Sequence, residues 1–359
     1  MAGNWLKDRL RRLFSNLRGI DAVLLVNTDS VDPNFHYLTG FTSGIFEDSL
    51  LIAKRDGVYL FTYDLEYQTA LDQKVGGMHV INIAKDVKSA RAMLKRFIKG
   101  KRVGVNGAFI PLATYNHMRR RYKPKRFIDV SQGLIDARLI KDAGEVERIR
   151  EAVRITKTAM KLIEKRCKRG MTERQLAAEF DFLQMSLGAD STSFDTIVCF
   201  GKNAAEPHHS PGNARLKKGD LVLIDAGAKV ANYCSDITRT FVFAGKGDAK
   251  QRQMINIVAK AQKIAMSEAK PDRKWRLMHD AAAKYIDEVE DGMYKGRFIT
   301  AVGHSLGIEV HDSPATTLFT NKLEAGMVVT DEPGIYIPGF GGVRIEDDIL
   351  ITRKGYKIL

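Results

Sequence analysis

The chain has 359 residues, 44% hydrophobic and 28% charged, with 57 Lys and Arg against 43 Asp and Glu and a formal net charge of +14. This composition is ordinary for a soluble globular protein long enough for two domains. No apolar run approaches the ~20 residues a bilayer-spanning helix needs, and Arg9, Arg11 and Arg12 break up the start, so neither a membrane span nor a secretory signal is expected.

Three cysteines, Cys167, Cys199 and Cys234, are odd in number and lack C-x-x-C spacing. They argue against a disulfide framework or a zinc ribbon and for a reducing compartment, so a cytoplasmic location is expected, with all three read as small buried residues. The charge is lopsided: residues 1–135 carry 22 Lys and Arg against 12 Asp and Glu, which is 10 of the excess of 14. The run Arg119-Arg120-Arg121-Tyr122-Lys123-Pro124-Lys125-Arg126 has the charge to attract nucleic acid or an acidic partner. No recognition motif accompanies it, so it is read as a solvated face and nucleic acid is not an expected partner.

In chain order, Leu6, Leu10, Leu13, Phe14 and Leu17 recur at helical spacing and predict an amphipathic helix over 5–18. Residues 22–26 read as a strand, and 48–53 and 58–62 as strands flanking the hairpin turn Lys54-Arg55-Asp56-Gly57. The patterns then alternate: helix 64–74, strand 78–83, helix 87–98, strand 102–106, helix 112–120, strand 126–130. That alternation predicts an α/β N-terminal domain of about 130 residues. It holds no Gly-rich phosphate loop and no cluster of metal-ligand types, so no chemistry is expected of it.

Residues 142–166 predict a long charged helix with Val146, Ile149, Val153 and Ile155 on or near one face. The domain boundary is set just before it, dividing 1–136 from 137–359. Thr172-Glu173-Arg174-Gln175 is a capping box that opens a helix ending near Gly188. A strand over 195–200 leads into a polar loop, 201–212, carrying Pro207-His208-His209. Helices follow the next hairpin at about 249–268 and 273–289, and apolar segments close the chain at 325–332 and 343–351.

The chemistry gathers in two hairpins. Leu221–Ala228 and Tyr233–Phe241 read as antiparallel strands, and a turn centred on the Val230–Ala231 bond sets Asp225 opposite Asp236. A second reversal centred on Gly339 sets Glu332 opposite Glu346, each seven residues away. Opposed residues on antiparallel strands have Cβ atoms about 4.5–5.5 Å apart, so each hairpin offers two carboxylates to a shared cation. Four crowded carboxylates stay ionised only when cations neutralise them, and two divalent ions bridged by a carboxylate form a hydrolytic arrangement. Oxygen-rich ligation with one imidazole suits manganese, cobalt, iron or zinc better than copper. His304, in Gly303-His304-Ser305-Leu306-Gly307, is the natural nitrogen donor, with His208 and His311 at the edge. Any one of these acids alone reads as a solvated strand end, and any one histidine as a loop residue. Two mirrored pairs with three loop histidines read as a site.

Taken in order, Ile224-Asp225-Ala226-Gly227, Ser235-Asp236-Ile237-Thr238-Arg239-Thr240, Gly303-His304-Ser305-Leu306-Gly307, Glu332-Pro333-Gly334-Ile335-Tyr336 and Arg344-Ile345-Glu346-Asp347 resemble the pita-bread metallopeptidases. Within them the likeness is to the Xaa-Pro peptidase branch, prolidase and aminopeptidase P. It runs from about residue 140 to the end, with a weaker echo at Tyr37-Leu38-Thr39-Gly40-Phe41. The resemblance implies an α+β pita-bread catalytic domain after the α/β domain. It also implies two divalent ions per chain, manganese or cobalt first and zinc or iron as alternatives. Asp225, Asp236, His304, Glu332 and Glu346 match the ligands, Asp236 and Glu346 bridging, and Glu332 matches the proton-transfer glutamate. His208 matches a histidine that stabilises the reacting carbonyl, His311 one that contacts substrate, and Thr238 and Arg344 groups that hold the ligands; Arg344 shares a strand face with Glu346.

The chain departs from the pattern where His209 follows His208, and where His311 is followed by Asp312-Ser313-Pro314 in place of the Glu-x-Pro common in prolidases. The implied activity is hydrolysis of the bond preceding proline in Xaa-Pro dipeptides. Aminopeptidase P action on longer Xaa-Pro-Yaa peptides is the alternative. A non-catalytic peptide- or nucleic-acid-binding module on the same fold is the reading from another class. Small peptides with proline second and a second copy of the chain are the implied partners.

Overall fold

The computed structural model describes residues 5–314 and 321–359, which divide into two compact units, Met1–Arg138 and Leu139–Leu359. Among the described residues, no helix is long and apolar enough to cross a membrane.

The first unit is built on a six-stranded sheet in the order Met78–Asn82, Gly57–Thr62, Leu50–Lys54, Ala22–Val26, Arg102–Val105, Arg126–Asp129. Leu50–Lys54 pairs antiparallel with both Gly57–Thr62 and Ala22–Val26, and the other three pairings are parallel. Ala22–Val26 lies in the middle and is buried along its whole length, as a strand covered on both faces must be. One face packs against the apolar stripes of Val87–Ile98 and Leu112–Tyr122, through Ala90, Leu94, Phe97, Met118 and Tyr122. Two helices lacked a sequence signal. Pro33–Thr39 starts with Asp32 accepting from the Asn34 N–H and ends at Gly40 in the left-handed region. Ser131–Leu139 closes the unit. Both are short and neither carries a long apolar repeat.

The second unit opens with Ala143–Arg166, whose capping box pairs Asp142 with Glu145, and continues with Glu173–Ser186, capped by Thr172 and Gln175. Its core sets Ala249–Glu268 and Arg276–Glu288 against the closing strands, with Trp275, Met254, Met278 and Tyr294 enclosed. Burying side chains of that size contributes roughly 1.5–3 kcal/mol each.

The first hairpin turns one residue later than its sequence pattern suggests. Ala231 and Asn232 both have positive φ, 47° and 68°, a two-residue turn whose twist matches the strands. The register is therefore Val230 with Tyr233 and Asp225 with Thr238. The expected Asp225–Asp236 opposition is corrected: Asp236 is the diagonal neighbour, still on the Asp225 face because side chains alternate. The ladder is interrupted between Leu221–Ala226 and Ala228–Val230, and between Tyr233–Cys234 and Ile237–Val242. At that interruption Gly227 meets the Ser235 carbonyl so closely that a Cβ would lie 1.8 Å from the oxygen.

The second hairpin holds the expected register, with Tyr336 opposite Gly342 and Thr330 opposite Asp348. Its two segments are each split, into Val328–Asp331 with Gly334–Ile337 and Gly341–Arg344 with Asp347–Thr352. Pro333 has no N–H to give the ladder. Glu332 and Glu346 stand at that gap.

Because backbone rather than a flexible side chain faces Gly227, the variant Gly227→Ala is expected to lose about 3 kcal/mol or more of stability. Urea denaturation would measure the loss, and an unchanged midpoint would contradict the close approach.

Candidate metal centre

Strand Leu221–Ala226 presents Asp225 and the break before Ile237–Val242 presents Asp236, both buried. The ladder gap of the second hairpin brings Glu332 and Glu346 to the same place. His304 arrives on a segment running antiparallel to Val328–Asp331, fixed by Thr330 N–H to the His304 carbonyl (2.9 Å) and Leu306 N–H to the Val328 carbonyl (3.0 Å). Its Nδ1 lies 3.2 Å from the Ser305 carbonyl, so the tautomer with hydrogen on Nδ1 turns a lone pair at Nε2 toward the acids. Nε2 stands 3.3 Å from Asp236 Oδ2 and 3.5 Å from Glu332 Oε1. Ligand atoms of Asp236, His304 and Glu346 all lie within 4.8 Å of one another.

Arg344 organises the surroundings. Its guanidinium donates to Asp225 Oδ2 (2.5 Å), to the Tyr336 hydroxyl (2.8 Å) and, through Nε, to Thr238 Oγ1 (3.1 Å). Thr238 in turn donates to Glu346 Oε2 at 2.7 Å. One oxygen of Asp225 and one of Glu346 are thereby satisfied. Their other oxygens, Asp225 Oδ1 and Glu346 Oε1, are buried without a hydrogen-bond partner among the described residues. A buried orphan carboxylate oxygen is costly, and two orphans beside an imidazole lone pair are what divalent cations satisfy. The donor set thus fits metal ions.

The electrostatics agree. Burial first, and then the charges of Asp225, Glu332 and Asp348, push the Asp236 carboxyl well above the ordinary range. Burial and then Asp236 and Glu332 do the same to Glu346, and burial raises Glu332 against the pull of His304 and Arg344. Asp347 behaves oppositely: although burial opposes ionisation, Arg239 and Lys157 hold it below the usual value. It points to the other face of its strand, with Arg239 Nη2 at 2.7 Å and Lys157 Nζ at 3.0 Å. Asp347 thus has two cations at contact distance, whereas the oxygens of Asp225 and Glu346 that Arg344 and Thr238 leave over have no partner among the described residues.

His311 packs edge-on against His304, ring centroids 4.3 Å apart, and burial followed by His304 and His208 lowers its pKa. All three expected histidines therefore share one region. His208 is exposed on its loop. His209 is engaged on both nitrogens, Nε2 with Glu173 at 3.0 Å and Nδ1 with Glu206 at 2.8 Å.

Comparison with known proteins agrees with this geometry. The profile of Metallopeptidase family M24 matches residues 147–353. The chain belongs to that family. The Creatinase/Prolidase N-terminal domain profile matches residues 7–140, and solved prolidases share the fold. An Xaa-Pro dipeptidase of Pyrococcus horikoshii is 34% identical over 99% of this chain and 97% of its own length. The structure of an Xaa-Pro dipeptidase from Bacillus anthracis superimposes with TM-score 0.88 at 30% identity, covering 98% and 97% of the two chains. That of an X-Pro aminopeptidase from Thermotoga maritima gives 0.85 at 29% identity, covering 97% of each.

Within this M24 site, several neighbours carried no sequence signal. Asp348, fully buried, accepts the Asp236 N–H at 3.0 Å. Thr330 Oγ1 accepts the His304 N–H at 3.0 Å and donates to Glu332 at 3.3 Å. Lys141 Nζ pairs with Asp312 Oδ2 at 3.1 Å, both side chains enclosed, and so anchors the residue after His311. Strand alternation from Glu346 pointed to Asp348, but three successive acids look like a solvated strand end.

Burial also drives the Asp348 carboxyl up to about 8. Folded values raised above unfolded ones give stability that is complete below the unfolded pKa and is lost as pH climbs through the folded pKa. Metal-free protein is therefore expected to weaken as pH rises from about 5 through about 8, and added Mn²⁺ to reverse the loss. Denaturation midpoints with chelator and with Mn²⁺ across that range would check it; a chelated protein whose stability rises with pH would refute it.

Proposed function

We propose that this M24 protein is an Xaa-Pro dipeptidase, hydrolysing the peptide bond that precedes proline. The observation that carries the reading is the convergence of Asp225, Asp236, His304, Glu332 and Glu346, with two buried carboxylate oxygens that lack a partner among the described residues. Full-length similarity to a protein named for that activity supports it. In this reading those five residues would hold two divalent ions, with manganese or cobalt favoured by an oxygen-rich set containing one imidazole. Bound there, the ions supply Lewis acidity to the scissile carbonyl and lower the pKa of water toward neutrality.

The chain's own groups do the rest. Glu332, its Oε1 steadied by Thr330, takes the proton of the attacking water as the oxygen adds to the carbonyl carbon. Proline nitrogen in a peptide carries no hydrogen, so it leaves as an amine only when that proton is delivered to it as the C–N bond breaks. His311, held toward its neutral form, donates an N–H without adding charge, and His208 stands with it as the second donor toward developing charge on oxygen. Thr238 and Arg344 hold Glu346 and Asp225 in place for this work.

A second reading is aminopeptidase P action on longer Xaa-Pro-Yaa peptides. The similarity to an X-Pro aminopeptidase and the Asp312-Ser313-Pro314 sequence after His311 favour it. The three free cysteines support a reducing, cytoplasmic setting. A homodimer is the assembly this branch implies, and light scattering on the purified chain would test it.

Assays of Xaa-Pro and Xaa-Pro-Yaa peptides with Mn²⁺ or Co²⁺ are expected to favour the dipeptides; preference for tripeptides would establish the second reading. Glu332→Gln should lower kcat by about 10²–10⁴-fold, the usual worth of a positioned acid–base group. Asp236→Asn should lose most activity and bound metal together, and wild-type turnover by it would exclude a two-metal site.

A further inference from the structure

Glu173, the first residue of helix Glu173–Ser186, does not point to solvent as an acidic residue at a helix start usually does. Its carboxylate is fully buried and accepts four hydrogen bonds. Oε1 takes the Phe200 N–H and the Asn203 side-chain amide, each at 2.9 Å. Oε2 takes the Gly212 N–H at 2.9 Å and His209 Nε2 at 3.0 Å. The first two donors stand at the start of the loop that carries His208, and the other two at its end. The helix start is stitched to the same end through Arg174 N–H to the Gly212 carbonyl and Arg174 Nε to the Pro211 carbonyl.

His209 completes the clamp. With carboxylate oxygens of Glu173 and Glu206 at its two nitrogens, the ring satisfies both only by donating from both, as the imidazolium. Burial opposes that charge, but the hydrogen bonds to Glu173 and Glu206 outweigh it and raise the pKa. From the other side the loop meets the metal centre's own scaffold. Strand Gly341–Arg344 lies so close that a Cβ on Gly342 would be 2.0 Å from the Ala204 carbonyl oxygen. Arg344 Nη1 reaches the Pro207 carbonyl at 3.5 Å. His208, next in sequence, is thus held between Arg344 behind Pro207 and the Glu173 clamp behind His209.

We propose that Glu173 is a positioning residue for the reaction: its buried carboxylate ties the two ends of loop 201–212 together and so sets His208 against His311. The inference rests on the reading above that His208 faces the substrate. Glu173→Gln is the informative change, because it keeps shape and volume while turning one acceptor oxygen into an NH₂ group. Two donors then face that NH₂. His209 can escape by giving up its Nε2 proton, but the backbone N–H of Gly212 or Phe200 cannot, and a buried donor is left unpaired.

The test uses full-length wild type, Glu173→Gln, His208→Ala and the double variant, with and without Mn²⁺. Amide hydrogen exchange in 201–212 is expected to quicken at least about tenfold in Glu173→Gln, with strands Leu221–Ala226 and Asp347–Thr352 and the Mn²⁺ bound per chain unchanged. Turnover of an Xaa-Pro dipeptide should fall, and His208→Ala should cost much less in the Glu173→Gln background than in wild type, the non-additivity expected of one acting through the other. Wild-type loop exchange, or a His208→Ala effect of equal size in both backgrounds, would overturn the proposal. Should Glu173→Gln fail to fold, His209→Gln, on the loop itself, is read by the same two measurements. Should wild type hydrolyse no Xaa-Pro peptide, the reading of the site falls, and loop exchange alone then upholds or overturns the clamp.

Discussion

Carboxylate charge left unneutralised by the protein is the constraint around which the Leu139–Leu359 unit is arranged. Asp225, Asp236, Glu332, Glu346 and Asp348 occupy one buried region, and the guanidinium facing them, Arg344, already spends its donors on Asp225, Tyr336 and Thr238. Asp347, on the same strand as Asp348, is instead partnered by Arg239, Lys157 and Gln262. One strand thus carries both solutions on its two faces. The difference between them marks where the fold expects a cation from outside, because a buried anion with orphan oxygens is tolerated only when something else completes its coordination.

The same constraint explains why both hairpins are interrupted where their acids stand. An unbroken ladder sends side chains alternately to opposite faces and keeps neighbouring acids at fixed spacing along the strand. Breaking it at Gly227 and Ser235, and again at Glu332-Pro333 and Ile345-Glu346, lets the local backbone turn the acids toward one another. Each break keeps the register of its hairpin. Arg239 Nη1 donating to the Glu346 carbonyl at 2.5 Å, and the Glu346 N–H to the Thr238 carbonyl at 3.1 Å, then knit the two hairpins together with backbone groups the breaks release. Buried polar backbone is thus satisfied without a continuous sheet.

Much of this was legible in the sequence, for identifiable reasons. The Gly339-centred reversal gave the right register because the glycines around it left one centre of symmetry for the flanking apolar runs. The first hairpin turns one residue beyond the centre its pattern suggests because Ala231 at positive φ is sterically disfavoured, so nothing local announces an Ala-Asn turn; the Ala231 N–H held by Asp190 at 2.6 Å helps to fix it. The face of the strand nonetheless survived the error, since Asp236 lies two residues from the true partner of Asp225. Residues defined by long-range contact were hidden. Glu173 reads as an ordinary capping-box neighbour, and its burial depends on a loop some thirty residues away. Asp348 reads as one of three acids at a strand end, and Lys141 as a solvated lysine before a helix.

Those hidden residues share a physical role. Lys141 with Asp312, and Glu173 with His209, are enclosed ion pairs beside the residues that follow His311 and His208 in sequence. Enclosed pairs add little net stability, because desolvating both charges offsets most of their attraction. What they do confer is direction: a carboxylate with several fixed donors has one arrangement that satisfies all of them, whereas an apolar contact tolerates sliding. Loops are the mobile part of a fold, yet a histidine that must donate to one oxygen works only within a narrow range of position. Each ion pair ties the residue after the histidine to a distant element, Asp312 to Lys141 and His209 to Glu173. In this unit the converging acids lie on interrupted strands, and His311 and His208 on loops tied down at the next residue by an ion pair.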